Sequence, residues 1–175
     1  MKRFLTVILV IFSFFTASAL PAGYAKVKLG MSVDELKDTL KKDHQFGYRG
    51  DRDVSLSPTD GEVLVETDAT YEPFSFLERC WFQFADEKLY IITINLDQSK
   101  VDHYSVFSAL CKKYGNPVEL SPQKSTWKDD SVIMTLEKPL ALKYVDAKAY
   151  EKKAQSSNVQ KTTREQAKEH FLDSL

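Results

Sequence analysis

Imidazole can bind a metal or move a proton near neutral pH, so the three histidines are the first side chains to test for chemistry. His44, His103 and His170 fall in a loop, at a helix start and in the C-terminal tail. None has a second ligand at i+3 or i+4, the spacing that sets two ligands on one helix face. Asp51 and Asp53 flank Arg52, and Asp129 adjoins Asp130. Paired carboxylates can share acid–base work, but in turns such residues usually serve solvation. Neither a glycine-rich phosphate loop nor a Gly-x-Ser-x-Gly elbow occurs. These residues imply no enzyme, no metal site and no cofactor.

Two further groups carry chemistry of other kinds. Cys80 and Cys111 are the only cysteines, and each falls on the apolar face of its element. In an oxidising compartment they can form a disulfide; otherwise they serve as two buried thiols, acting as small hydrophobes. Arg49-Gly50-Asp51 spells the integrin-binding tripeptide in an expected exposed loop. One reading is adhesion; the other is a loop in which Gly50 supplies a positive φ.

The compartment follows from the N-terminus. Lys2 and Arg3 precede an apolar run over residues 4–15, and Ala17-Ser18-Ala19 supplies small residues at the positions a signal peptidase reads. The run is too short for a bilayer span. Residues 1–19 therefore read as a signal peptide cleaved after Ala19, with no cysteine there to carry a lipid. The expected product is a soluble periplasmic or secreted chain, with no membrane insertion after cleavage. The whole chain carries a net charge of −1, and losing Lys2 and Arg3 takes it to about −3. Nucleic acid and anionic membrane surfaces, which select basic patches, are poor partners for it.

Residues 20–146 suffice for one domain with its own core. Ser32 and Glu35 form a capping box, and Val33, Leu36 and Leu40 share one face of the short amphipathic helix that follows. Strands are expected over residues 53–57 and 62–66 around a turn at 58–61. Residues 79–85 and 89–96 form a hairpin, with Cys80, Phe82 and Phe84 on one face of its first strand. Tyr90, Ile92, Ile94 and Leu96 share one face of its second. A second helix then starts at a Ser99 cap, presents Tyr104, Phe107, Leu110, Cys111 and Tyr114, and ends at Gly115 and Pro117. Strands over 125–128, 131–137 and 140–145 complete the repeat of pattern. The expected fold is α+β: a two-layer sandwich of two helix-plus-strands units, with an antiparallel sheet and its helices on one face.

Side-chain alternation places Trp81 on the sheet face away from the helices, with Ile91 beside it and Trp127 as a third member. Left open, this face is a protein-binding surface; alternatively, the C-terminal segment covers it. Residues 147–175 read as a polar helical tail with a linker at 156–161. Phe171, Leu172 and Leu175 lie near one helical stripe, which can dock on a partner or over Trp81.

Lys28-Leu29-Gly30-Met31-Ser32 running into Val33-Asp34-Glu35-Leu36 resembles the entry motif of the SmpA/OmlA (BamE-like) envelope proteins, mainly over residues 28–42. The tandem arrangement is similar to the β-lactamase-inhibitor-protein fold. The resemblance implies a small non-catalytic module of the cell envelope that binds another envelope protein. Two features depart from it: the chain has no lipidation cysteine, and only one helix opens the domain. The expected function is therefore a non-catalytic binding or scaffold protein. A carrier holding a small apolar ligand between helices and sheet is the alternative, and an adhesin using Arg49 to Asp51 a further one.

Overall fold

The computed structural model describes residues 19–56, 62–156, 168, 171 and 172. The leader, the expected turn at 58–61, His170 and Leu175 lie outside the described residues.

The described part of the chain opens with a small hairpin, β1 (Gly23–Tyr24) and β2 (Val27–Lys28), which periodicity could not announce because each strand has two residues. Helix α1 (Val33–Lys41) follows. Its capping box forms as the sequence implies. The Glu35 amide donates to Ser32 Oγ at 3.3 Å, and the Ser32 amide donates to Glu35 Oε2 at 2.7 Å. Those hydrogen bonds with Ser32 hold the Glu35 carboxyl below its ordinary pKa. Leu36 and Leu40 bury one face of the helix completely.

Among the described residues, eight strands then build one antiparallel sheet. They are β3 (Val54–Leu56), β4 (Val63–Asp68), β5 (Leu77–Ala85), β6 (Lys88–Leu96), β7 (Glu119–Leu120), β8 (Lys124–Lys128), β9 (Val132–Glu137) and β10 (Ala141–Asp146). Their spatial order is β3-β4-β5-β6-β10-β9-β8-β7. Each half is a four-stranded meander preceded by a helix, and the last strands of the halves pair, with Ile94 opposite Leu142 and Ile92 opposite Tyr144. The two expected units are thus joined edge to edge. Helix α2 (His103–Tyr114) opens the second.

The main core lies between the sheet and the helices α1 and α2. Phe82, Phe84, Ile92, Ile94, Met134, Leu136, Leu142 and Tyr144 fill it from the strands. Phe46 packs edge-on against both Tyr24 and Phe82.

Four expectations need correction. Asp102 caps α2, not Ser99: its carboxylate takes the Ser105 amide at 2.9 Å and the Ser105 hydroxyl at 2.6 Å. Ser99 instead bonds Asp97 in the preceding turn. Tyr104 is an exposed residue of α2 rather than part of its packed face. Tyr90 leaves the main core because β6 carries a bulge: Gln83 pairs with Ile91 and Phe84 with Leu89, so Tyr90 is the extra residue and turns to the opposite face. Finally, the boundary at 146 is not structural. Residues 147–156 form a helix, α3, capped by Asp146 through the Ala149 amide at 2.9 Å. This helix packs on the second sheet face, where Ala149 meets the cluster of Tyr90, Ile91 and Val145. The α+β fold is as expected, with α1 and α2 of the two units on one sheet face and the C-terminal α3 on the other.

Candidate functional site

Of the two readings of the second sheet face, an open aromatic cluster or a face covered by the C-terminal segment, the arrangement around Ile91 matches the covered one. Ile91 is buried under α3. Trp81 is half-buried in a cleft of about 230 Å³ beside Lys153 and Tyr90. Lys153 sits 5.2 Å above the Tyr90 ring and pairs with Glu62 at 2.6 Å, which ties α3 across β6 toward β4. Trp127 belongs to the other face altogether. It is buried in the main core, its ring lies 6.1 Å from that of Phe107, and Nε1–H donates to the Gly115 carbonyl at 2.8 Å. Five-residue strands carry too few positions to fix which face is inward, which is why Trp127 was misplaced. In the tail, Phe171 and Leu172 are helical and more than half exposed.

The integrin-type tripeptide is built into the fold. The Arg49 amide donates to Asp53 Oδ2 at 2.7 Å, and its guanidinium reaches Asp53 Oδ1 through Nε (3.0 Å) and NH2 (2.9 Å). Asp53 is buried, while Asp51 projects to solvent and pairs with Lys37 at 3.1 Å. Gly50 has φ +89°, the positive φ that the loop reading of the tripeptide assigns to it.

Cys80 and Cys111 are both free, so the disulfide left open by the sequence is not formed. Cys80 lies fully buried on β5, and burial pushes its thiol up to about 12 against a smaller pull from the Thr67 hydroxyl. At pH 8 its thiolate is then on the order of one molecule in ten thousand. The expected result is two titratable thiols after denaturation without reductant, with Cys80 refractory to iodoacetamide in the native protein. A denatured protein with no free thiol would contradict this structure.

What the sequence reading passed over is the loop of residues 69–76 between β4 and β5. It exposes Tyr71 (88%), Phe74 (94%) and Phe76 (56%). Solvated aromatics usually sit on slack chain, but this loop is held at every step. The Ala69 amide donates to the Glu78 carbonyl at 2.9 Å, the Glu72 amide to Ala69 at 2.9 Å, and the Ser75 amide to Glu72 at 3.1 Å. Ser75 is buried. Its hydroxyl donates to the Gln45 carbonyl at 2.6 Å and accepts the Leu77 amide at 3.0 Å. Lys100 Nζ reaches the Ser75 carbonyl at 2.7 Å while pairing with Asp97 at 3.4 Å. The Thr70 hydroxyl and amide hold the Asp68 carboxyl below its ordinary pKa at the loop base. Gly47 makes the seat possible: at φ +63° it lies so close that a Cβ would sit 2.2 Å from the Asp68 carbonyl oxygen. The sequence signal was three aromatics around Pro73 with no helical or strand period, a pattern easily passed over as filler.

A second apolar feature lies on the other half. A groove of about 540 Å³ runs between α2 and the β7–β8 edge, lined by Tyr104, Phe107, Leu120 and Pro122 among others.

Fold and site together define an α+β domain of two joined halves that offers a fixed aromatic loop. The chain belongs to the TP0088 domain family, whose model matches residues 22–156. That span ends with α3, so the family domain takes in the helix that composition had assigned to the tail. No curated protein and no solved structure matches the chain. Among the described residues, no helix is long and apolar enough to cross a membrane.

Proposed function

We propose that the protein is an exported, non-catalytic binding module of the cell envelope that engages another protein through the loop at 69–76. The observation that carries this reading is the pairing of exposed rings, at Tyr71, Phe74 and Phe76, with a hydrogen-bonded loop backbone beneath them. A loop backbone already held in place loses little entropy on docking, and aromatic anchors dominate protein interfaces. Burying the three would contribute roughly 5–9 kcal/mol gross, at about 1.5–3 kcal/mol per side chain. The likeness of residues 28–42 to the SmpA/OmlA proteins supports a role in binding proteins, and the leader supports a periplasmic or secreted location. The acidic balance disfavours nucleic acid.

The test is capture from an envelope extract by the wild-type protein and by the Tyr71→Ala/Phe74→Ala variant. The variant is expected to lose the captured partner while its melting temperature stays within about 2 °C, since neither ring packs in the core. Undiminished capture by the variant would overturn the proposal. A carrier of a small apolar ligand is the second reading, and the groove beside α2 is where such a ligand would lie.

A further inference from the structure

We propose that Asp129 is the receptor for the α-ammonium group that removal of residues 1–19 creates at Leu20. The inference rests on the export reading above. Its starting point is a long-range contact: the Leu20 backbone nitrogen donates to Asp129 Oδ2 at 3.0 Å, across 109 residues of sequence.

The carboxylate is already aimed. Its Oδ1 accepts the Ser131 amide at 2.9 Å, the Val132 amide at 2.8 Å and the Ser131 hydroxyl at 3.0 Å, from the turn after β8 and the first residue of β9. These bonds leave Oδ2 facing Leu20. Burial pushes the Asp129 carboxyl upward, but the amides of Ser131, Val132 and Leu20 outweigh it and hold the group below its ordinary value. Asp129 is therefore charged at neutral pH.

Leu20 is equally fixed. Its side chain packs against the main core. Two residues on, the Ala22 carbonyl accepts the Leu29 amide at 2.7 Å, and β1 pairs with β2. Gly23 approaches so closely that a Cβ would sit 2.2 Å from the Val27 carbonyl oxygen. The surrounding groove, about 410 Å³, also includes Ala19, Tyr114, Asn116, Lys128 and Asp130.

In the uncleaved chain the Leu20 nitrogen is an amide with one N–H and no charge. Hydrolysis of the Ala19–Leu20 bond consumes one water, leaves a carboxylate on Ala19 and gives Leu20 an amine that is protonated at neutral pH. The nitrogen then has three donors and a full charge, 3.0 Å from a carboxylate oxygen. Processing thus converts a neutral hydrogen bond into an ion pair between the start of the mature chain and the second half of the sheet.

The experiment compares processed protein from an exporting host with a chain carrying one extra glycine before Leu20, each with Asp129 and with Asp129→Asn. Asn keeps an acceptor for the Ser131 and Val132 amides, and each comparison is made within one background. The glycine is expected to lower the melting temperature by about 2–4 °C when Asp129 is present and by under about 1 °C when it is not. Should the Asn variant fail to fold, the Asp129 pair alone is compared in about 1 M salt, where screening at about 3 Å should shrink the difference. Equal shifts in both backgrounds, or a difference insensitive to salt, overturn the inference and leave the export reading standing. A processed N-terminus near but not at Leu20, found by mass spectrometry, overturns the inference alone, and an intact Met1 in the native protein overturns both.

Discussion

Replacing Trp127 by alanine is expected to lower the unfolding free energy by about 3–5 kcal/mol, the range for truncating a buried aromatic. No residue of α2 is fully buried, so the helix depends on what the sheet offers it. Trp127 offers a ring to Phe107 and an Nε1–H bond to Gly115, just beyond the last turn of α2. Trp127→Phe keeps an aromatic ring but loses the bond and some of the indole's packing, and should cost less than the alanine variant, about 1–3 kcal/mol. Urea denaturation followed by far-ultraviolet circular dichroism gives both values. An alanine variant within about 1 kcal/mol of wild type would show that α2 is held by something else.

Arg49→Ala carries the second large effect. Two hydrogen bonds and an ion-pair contact join Arg49 to a carboxylate whose side chain is fully buried, and only the backbone-amide bond survives the truncation. Leaving Asp53 short of its cation should cost about 2–4 kcal/mol, toward the lower end of the range for broken buried pairs because Arg49 itself is half exposed. Asp51→Ala removes an exposed pair with Lys37 and should cost under about 0.5 kcal/mol. Chemical denaturation of the two variants separates a structural tripeptide from an adhesive one. Adhesion alone predicts that both substitutions abolish cell attachment and that neither moves stability.

Legibility tracked the range of the interactions. Ser32 and Glu35 announced the start of α1 because a capping box is written within four residues. The β5–β6 hairpin was legible from alternation, and its two-residue turn sets Asp86 and Glu87 at positive φ, as a tight hairpin turn requires. The bulge at Tyr90 was not legible, since a strand's period says nothing about where its partner skips a residue. Residues 147–156 looked like a tail because their sequence is polar. Their hold on the sheet comes from small or long side chains, Ala149 and Lys153, that composition scores as solvent-facing. The aromatic loop failed for a related reason: its order comes from Gln45, Asp97 and Lys100, none of them within 20 residues of both its ends. Ring exposure depends on such tertiary anchors and not on local pattern.

The seam between β6 and β10 also has a kinetic meaning. Among the described strands of the large sheet, every other pairing joins strands that follow one another in sequence. Six of the seven ladders can therefore close over short stretches of chain, and the search cost of a long closure is concentrated in the seventh. The seam repays that cost on both sides of the sheet at once. Ile92, Ile94, Leu142 and Tyr144 meet in the main core, while Ile91 and Val145 meet beneath α3. Such a chain can assemble as two meanders that form independently and lock in one late step, so that the halves are separable in time although they are continuous in space.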